Sequence, residues 1–169
     1  MTETVYDMVI LGAGSGGYAA ALRGAQLGLK VALIEADKLG GTCLHRGCVP
    51  TKALLHAAET ADAVREAATV GIKAAFEGVD MPGVQKYKNS IVSRMHKGLE
   101  GLVSSRGIDL IQGWGRLVAA DAVEVDGRRI TGRNVVLASG SYSKSLPGLE
   151  IGGRVLTSEQ ALQLDHVPK

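Results

Sequence analysis

Val5 to Leu11 is a short, nearly continuous apolar run interrupted by Asp7, the pattern of a buried strand, and it leads directly into Gly12-Ala13-Gly14-Ser15-Gly16-Gly17. Tyr18 to Leu27 is rich in Ala with Leu and Arg, a helix-forming composition that Gly28 ends. Lys30 to Ile34 is a second strand with Glu35 at its C-terminal end. Ala53 to Ala68, with Leu54, Leu55, Ala58, Ala61 and Val64 at mixed three and four spacing, predicts one helix with a break. Gly71 to Gly83, containing Gly78 and Met81-Pro82-Gly83, is the connecting segment. Val84, Tyr87, Ile91, Met95, Leu99, Leu102 and Val103 then mark a long amphipathic helix that ends by Gly107. A Tyr and Met stripe at that spacing belongs to a core or a helix partner.

The last third is strand-rich. Ile108 to Gln112 has the look of a buried strand, and Gly115 to Val118, Ala122 to Val125 and Arg128 to Ile130 form a small meander with turns at Ala119-Ala120-Asp121 and Asp126-Gly127. Asn134 to Ala138 returns as another apolar strand, into Ser139-Gly140-Ser141. The order predicts an α/β fold: a Rossmann-like unit with a central parallel sheet, a long helical insertion and a small antiparallel meander.

The glycine-rich turn gives the first strands a chemical meaning. In Gly12-Ala13-Gly14-Ser15-Gly16-Gly17 the first Gly permits a tight turn, Gly14 lets a pyrophosphate approach the backbone, and Gly17 lets helix and strand pack closely. The N–H groups at the start of the following helix would hold phosphates, with Ser15 of the turn among the cofactor-binding residues. Glu35 stands where it can accept hydrogen bonds from an adenosine ribose. Strand, helix, second strand and terminal acid together indicate a dinucleotide site; the alternative is a glycine-rich turn in an unrelated α/β protein.

Both cysteines fall in Gly40-Gly41-Thr42-Cys43-Leu44-His45-Arg46-Gly47-Cys48-Val49-Pro50-Thr51-Lys52. A disulfide needs Cα atoms about 4.4–6.8 Å apart, so a Cys-x4-Cys segment must turn between its ends, as Gly47 allows. Pro50 suits the first turn of a helix, which would put Cys48 near a helix N-terminus. The positive end of that helix, with Lys52 one turn on, favours thiolate and thiol–disulfide exchange. Ordinary buried thiols, or half of a zinc site, are the other readings. His45, His56, His96 and His166 are scattered and do not complete a zinc pattern.

Composition narrows the partners. The 169 residues suffice for one sizeable core, and a net charge of +2 with both signs interspersed gives no basic stripe for nucleic acid. Met1-Thr2-Glu3-Thr4 lacks the features of a signal peptide, and no apolar run approaches the roughly 20 residues that span a bilayer. The expectation is a cytoplasmic protein with no membrane partner, in which a Cys pair cycles between redox states.

NAD and FAD share the first fingerprint, and the neighbouring Cys pair favours a flavin, which can take an electron pair from a dithiol and pass it on. GGTCLHRGCVPTKALLHAAE, after GAGSGG and a strand ending in Glu35, closely resembles the flavoprotein disulfide reductases, the dihydrolipoamide dehydrogenases above all, and the resemblance runs over essentially the whole sequence. It implies FAD as cofactor, with Cys43 and Cys48 as the redox-active disulfide. Cys48 would be the thiol nearer the flavin and Cys43 the one exchanging with dihydrolipoamide.

The resemblance also assigns the surrounding residues. It places Lys52 by the isoalloxazine ring, and Gly40, Gly41 and Thr42 on the pyrophosphate and ribityl path. Gly115, within Gly113-Trp114-Gly115, falls where the family sets backbone against the adenine, with Trp114 able to shield that edge. Ala138-Ser139-Gly140-Ser141 matches the family's Ala-Thr-Gly-Ser, with Ser for Thr, and Leu146-Pro147-Gly148 follows in the expected place. His45-Arg46 departs from the Asn-Val that many members carry between the cysteines, a difference that bears on substrate access and also fits solvent-facing loop residues.

The sequence closes at Val167-Pro168-Lys169, about where the resemblance places a second GxGxxG, for NAD. The expectation is therefore residues 1–150 as an incomplete FAD-binding domain and 151–169 as a connector toward an NAD-binding domain, with little turnover by this portion alone. The complete enzyme would be a homodimer that accepts electrons from dihydrolipoamide, or the lipoyl domain of a 2-oxo acid dehydrogenase complex, and reduces NAD+. The Cys-x4-Cys is shared with mercuric, glutathione and trypanothione reductases, and a non-catalytic flavin-binding module is the non-enzymatic alternative.

Overall fold

The structure, a computed structural model, describes residues 5–168 and falls into two compact units. One comprises the chain up to Leu44 together with Met95–Tyr142; the other comprises His45–Arg94 and the chain from Ser143 onward.

The first unit is built on a six-stranded sheet. Its strands are β1 (Val5–Leu11), β2 (Val31–Glu35), β3 (Asp109–Gln112), β4 (Gly115–Ala119), β5 (Ala122–Val125) and β6 (Arg128–Leu137), in the spatial order β3-β2-β1-β6-β5-β4. The first four in that order run parallel; β5 and β4 continue it antiparallel. Helix α1 (Ser15–Gln26) follows β1, and its Gly24 faces the sheet, where a Cβ would meet Met8 Cε at 2.4 Å and Val31 Cγ2 at 3.1 Å. One core cluster contains Ile10, Leu33, Val31, Ala21 and Val103; a second contains Val9, Ile34, Val123 and Ile130. The fully buried Val31–Ile34 run explains why β2 carries no polar alternation.

Two expectations about the sheet change. Arg128 to Ile130 and Asn134 to Ala138 are parts of one strand, β6, whose first half pairs antiparallel with β5 while the second pairs parallel with β1. Thr131 is opposite Ala122 on one side and Val5 on the other, so the meander belongs to the central sheet, which is mixed. Gly132, where a Cβ would lie 2.7 Å from Val9 Cγ2, is the small residue that permits the crossover between the two pairings. In β3, read as buried, Leu110 is 40% exposed, because among the described residues this strand is the edge of the sheet, paired with β2 on one side.

The helices begin earlier than the apolar periodicity suggested. Helix α3 spans Cys48–Glu66 and continues into a 3₁₀ turn at Ala67–Val70, the expected break. A short helix not foreseen, α2 (Gly41–Arg46), precedes it, and Gly47 separates the two. Helix α4 (Met81–Ser105) takes in Met81-Pro82-Gly83 as its first turn, where proline's missing N–H has no intrahelical partner to lose. Val84 N–H donates to Asp80 O at 2.9 Å, closing that turn. In the second unit, α3 and the first turns of α4 meet through His56 and Tyr87, with ring centroids 6.2 Å apart. The last helix is α5 (Ser158–Ala161). None of the helices among the described residues is long and apolar enough to cross a membrane.

Candidate functional site

The parallel strands β1, β2 and β6 bring their C-terminal ends together at the glycine-rich turn. Gly12 N–H donates to Ile34 O at 2.8 Å and Ala138 N–H to Leu11 O at 2.8 Å, so the turn is tied to β2 on one side and to the end of β6 on the other. At Gly12 φ is +100°, and a Cβ would fall 2.3 Å from Ala138 O. At Gly17 a Cβ would fall 1.8 Å from Gly12 O. These two glycines satisfy steric requirements of the turn itself, which keeps β1 and α1 close.

Gly40 and Gly41 lie against the same turn. Gly40 N–H donates to Ala13 O at 2.9 Å, and a Cβ on Gly41, whose φ is +59°, would stand 2.6 Å from Gly14 Cα. The pair of glycines ahead of Cys43 thus lets two backbones touch. Glu35 completes the arrangement: Oε2 accepts from Ala13 N–H at 2.7 Å and Oε1 from Asp37 N–H at 2.9 Å. The Ala13 link was not anticipated, since Ala13 offers only backbone atoms, which no side-chain pattern signals.

Gly115 is placed across the ends of β1 and β2, where a Cβ would meet Leu11 Cδ1 at 2.5 Å and Ile34 Cγ2 at 3.0 Å. Its small size is therefore required by packing at that edge. Trp114 is 79% exposed, so it is not the packing residue a lone Trp usually is. Ser139, Gly140 and Ser141 form an exposed segment after β6, with Gly140 at φ +74°, and Ala138-Ser139 runs against Gly12. The first unit thus brings Gly12, Gly14, Gly17, Glu35, Gly40, Gly41, Gly115 and Ser139 to one end of the sheet, where ligands of open α/β sheets bind. Ser15 opens α1 there as an exposed residue, and Thr42 is exposed on α2.

The cysteines sit on successive helices. Cys43 is half-buried on α2, and Cys48 is the exposed first residue of α3; both are thiols in the structure. Thr51 fastens the α3 start, its N–H and Oγ1 donating to Gly47 O at 3.0 and 2.7 Å. A thiolate at the first position of a 19-residue helix meets unpaired N–H groups and the positive end of the dipole. Lys52 is exposed in the next turn. Two members of the second unit went unremarked in the sequence: Lys88, 5% exposed, and Glu159, which pairs with Arg46 at 3.4 Å. Among the described residues no group of three His, Cys, Asp or Glu side chains is placed to hold a metal ion.

Residues 6–169 match the family described as pyridine nucleotide-disulphide oxidoreductase. The chain is 42% identical over 180 residues to the dihydrolipoyl dehydrogenase of Bacillus subtilis (strain 168), an alignment covering 98% of this chain and 38% of that protein. It is 40% identical over 167 residues to the Chlamydia pneumoniae dihydrolipoyl dehydrogenase, covering 97% and 36% of the two chains. For the Pseudomonas aeruginosa enzyme of the same name the identity is 39% over 171 residues, covering 96% and 37%. The chain spans well under half the length of these curated relatives. A glycine turn in which Gly12 and Gly17 leave no room for a Cβ, an acid at the end of β2 and a Cys-x4-Cys at a helix start all fall within this match, and the chain belongs to the pyridine nucleotide-disulphide oxidoreductase family.

Proposed function

We propose that this chain is the N-terminal, FAD-binding part of a dithiol–disulfide oxidoreductase, with residues 1–150 serving the flavin and 151–169 leading toward an NAD-binding domain. The whole protein would oxidise dihydrolipoamide, free or on the lipoyl domain of a 2-oxo acid dehydrogenase complex, and reduce NAD+ as a cytoplasmic homodimer. The observation that carries the reading is the joining of the Gly12–Gly17 turn to Gly40-Gly41, by the Gly40–Ala13 hydrogen bond and the Gly41–Gly14 contact, just ahead of the Cys pair. The dihydrolipoyl dehydrogenase names of the relatives support the substrate.

The residues present fit a flavin dinucleotide. Gly14 is the N-cap of α1, where no side chain caps the helix, and Gly12, Gly14, Ser15 and Gly17 would receive the pyrophosphate. The unused lone pairs of Glu35 would accept ribose hydroxyls. Gly40, Gly41, Thr42, Ser139, Gly140, Ser141 and Lys52 would flank the rest of the cofactor, with the backbone at Gly115 toward the adenine. When bound, FAD supplies a two-electron acceptor for the reduced cysteine pair.

The protein's own step is thiol exchange. A substrate thiolate attacks Cys43 Sγ of the Cys43–Cys48 disulfide, the S–S bond breaks, and Cys48 leaves as thiolate at the α3 N-terminus. The second substrate thiol attacks the mixed disulfide, forming the substrate disulfide and releasing Cys43. Two electrons and two protons have then left the dithiol, the electrons residing on the cysteine pair.

The test is spectroscopic, on the FAD-loaded protein reduced by two electrons. Cys48→Ser should abolish the long-wavelength absorbance of thiolate beside flavin, and Cys43→Ser should preserve it. Equal loss in both variants, or NADH binding without flavin affinity in a fluorescence titration, overturns the reading.

A further inference from the structure

Arg46, two residues before Cys48, is held from a direction the sequence does not disclose. Its Nε lies 3.4 Å from Glu159 Oε1 on α5. That short helix is fastened at both ends. Thr157 and Gln160 form a capping box at its start, Gln160 N–H donating to Thr157 Oγ1 and Thr157 N–H to Gln160 Oε1. At its end Lys88 Nζ donates to Leu162 O at 2.9 Å, and Gln85 Nε2 donates to Leu162 O and Leu164 O at 3.2 and 2.8 Å. Lys88, which also donates to Gln85 Oε1, is the buried charged side chain among the described residues. Glu159 is therefore presented from a fixed backbone.

Arg46, Glu159, Lys88 and Pro50 line a polar pocket of about 460 Å³, whereas Cys48, between Arg46 and Pro50 in sequence, does not line it. The ion pair turns the guanidinium to the pocket side of the α3 start. Two residues of chain separate Arg46 and Cys48 by at most about 7 Å between Cα atoms, within the ~8 Å Debye length at physiological salt. A guanidinium released from Glu159 could therefore stabilise a thiolate at Cys48, as nearby cations do.

We propose that Glu159 is a positioning residue for the redox motif: by holding Arg46 in the pocket it withholds that charge from Cys48 and sets the reactivity of the thiol. This rests on the reading of Cys48 as a reacting thiol. The other charged groups of the motif and pocket, His45, Lys52 and Lys88, are the same in every comparison below.

The experiment follows alkylation of Cys48 by iodoacetamide at pH 7 in a Cys43→Ser background, with Glu159→Gln, Arg46→Gln, Arg46→Lys and the double variants. Glu159→Gln should speed alkylation about two- to fivefold, the range open to a partly exposed charge pair. In the Arg46→Gln background the same change should do nothing, and in the Arg46→Lys background its effect should return. With both cysteines present, Glu159→Gln should make the couple more oxidising in a glutathione buffer, by up to about 20 mV for a fivefold change. An alkylation rate unaffected by Glu159→Gln, or equally raised without Arg46, overturns the proposal. Failure of the wild-type pair to equilibrate with glutathione at all would instead refute the dithiol–disulfide function, since alkylation does not depend on it.

Discussion

Glu35 Oε2 accepts the Ala13 N–H at 2.7 Å, joining the end of β2 to the glycine turn at the end of β1. The carboxylate expected to meet a ribose is thus also a structural part of the turn that would meet the pyrophosphate. Its other oxygen takes the Asp37 N–H, so each oxygen already has one backbone donor and a lone pair to spare.

Replacing Glu35 by Ala should therefore lower stability even without ligand. Two hydrogen bonds to a charged acceptor are lost, and with partial exposure the cost should be about 1–3 kcal/mol. Glu35→Gln, which retains one acceptor oxygen, should fall between. Urea midpoints give the stability order, and a flavin fluorescence titration should give the same order for affinity. A variant that loses affinity at unchanged stability would restrict Glu35 to the ligand.

Gly17 and Gly16 are neighbours in the same helix turn with opposite prospects. A Cβ at Gly17 would lie 1.8 Å from Gly12 O, which is backbone and cannot swing away, whereas nothing lies within 4 Å of one at Gly16. Gly17→Ala should prevent the native turn, with loss of about 3 kcal/mol or more, among the larger single-residue effects. Gly16→Ala should be neutral or stabilising by up to about 1 kcal/mol, the helix preference of Ala over Gly. Thermal unfolding of the two variants distinguishes this steric account from a general intolerance of the motif.

Tyr6 predicts a loss of stability in alkali. Burial raises the pKa of its phenol, assisted by a hydrogen bond to Asp109 and the charge of that carboxylate, against an opposing effect of Arg128. The folded state therefore keeps its phenolic proton at pH values where the unfolded chain, near 10.0, has released it. Stability from this group is complete below about pH 10 and declines above it. Tyr6→Phe should flatten the decline between pH 9.5 and 11, measured by urea unfolding with the variant as reference; parallel curves would mean the phenol ionises alike in both states.

The parts legible in the sequence were those where local chemistry and global position agree. Gly12 to Gly17, the apolar β1 and β2 runs and Glu35 each carry their own signal, and the structure joins them as the spacing required. Pro50 marked the first turn of α3 because its effect is confined to one helical turn. What was missed depends on distant partners. Residues 128–130 and 134–138 looked like two strands because Gly132 breaks the apolar pattern, yet pairing with both β5 and β1 makes them one. The exposure of β3 depends on its place at the sheet edge, which its composition does not encode. Lys88 looked like any lysine of an amphipathic helix; its burial comes with a bond to a carbonyl more than seventy residues away, Leu162 O.

Lys88 also offers a test of how that burial is tolerated. Desolvation lowers its pKa from the ordinary 10.5, so the folded state releases the proton at a pH where the unfolded chain still holds it. Across the window from the lowered value up to about 10.5 the unfolded state binds more protons, and stability must rise with pH. The neutral amine still carries two hydrogens, enough for Leu162 O and Gln85 Oε1, so the clasp survives deprotonation. Lys88→Met has no titrating group and leaves Leu162 O with Gln85 Nε2 alone. The variant should be less stable at neutral pH by about 1–3 kcal/mol for the lost donors, and its deficit should widen as pH approaches 10.5. Urea unfolding of both proteins from pH 7 to 10.5 cancels the other lysines and tyrosines in the difference. A deficit that narrows over this interval would mean that the hydrogen bonds hold the ammonium more strongly than burial opposes it, so that the pKa of Lys88 is raised in the folded state.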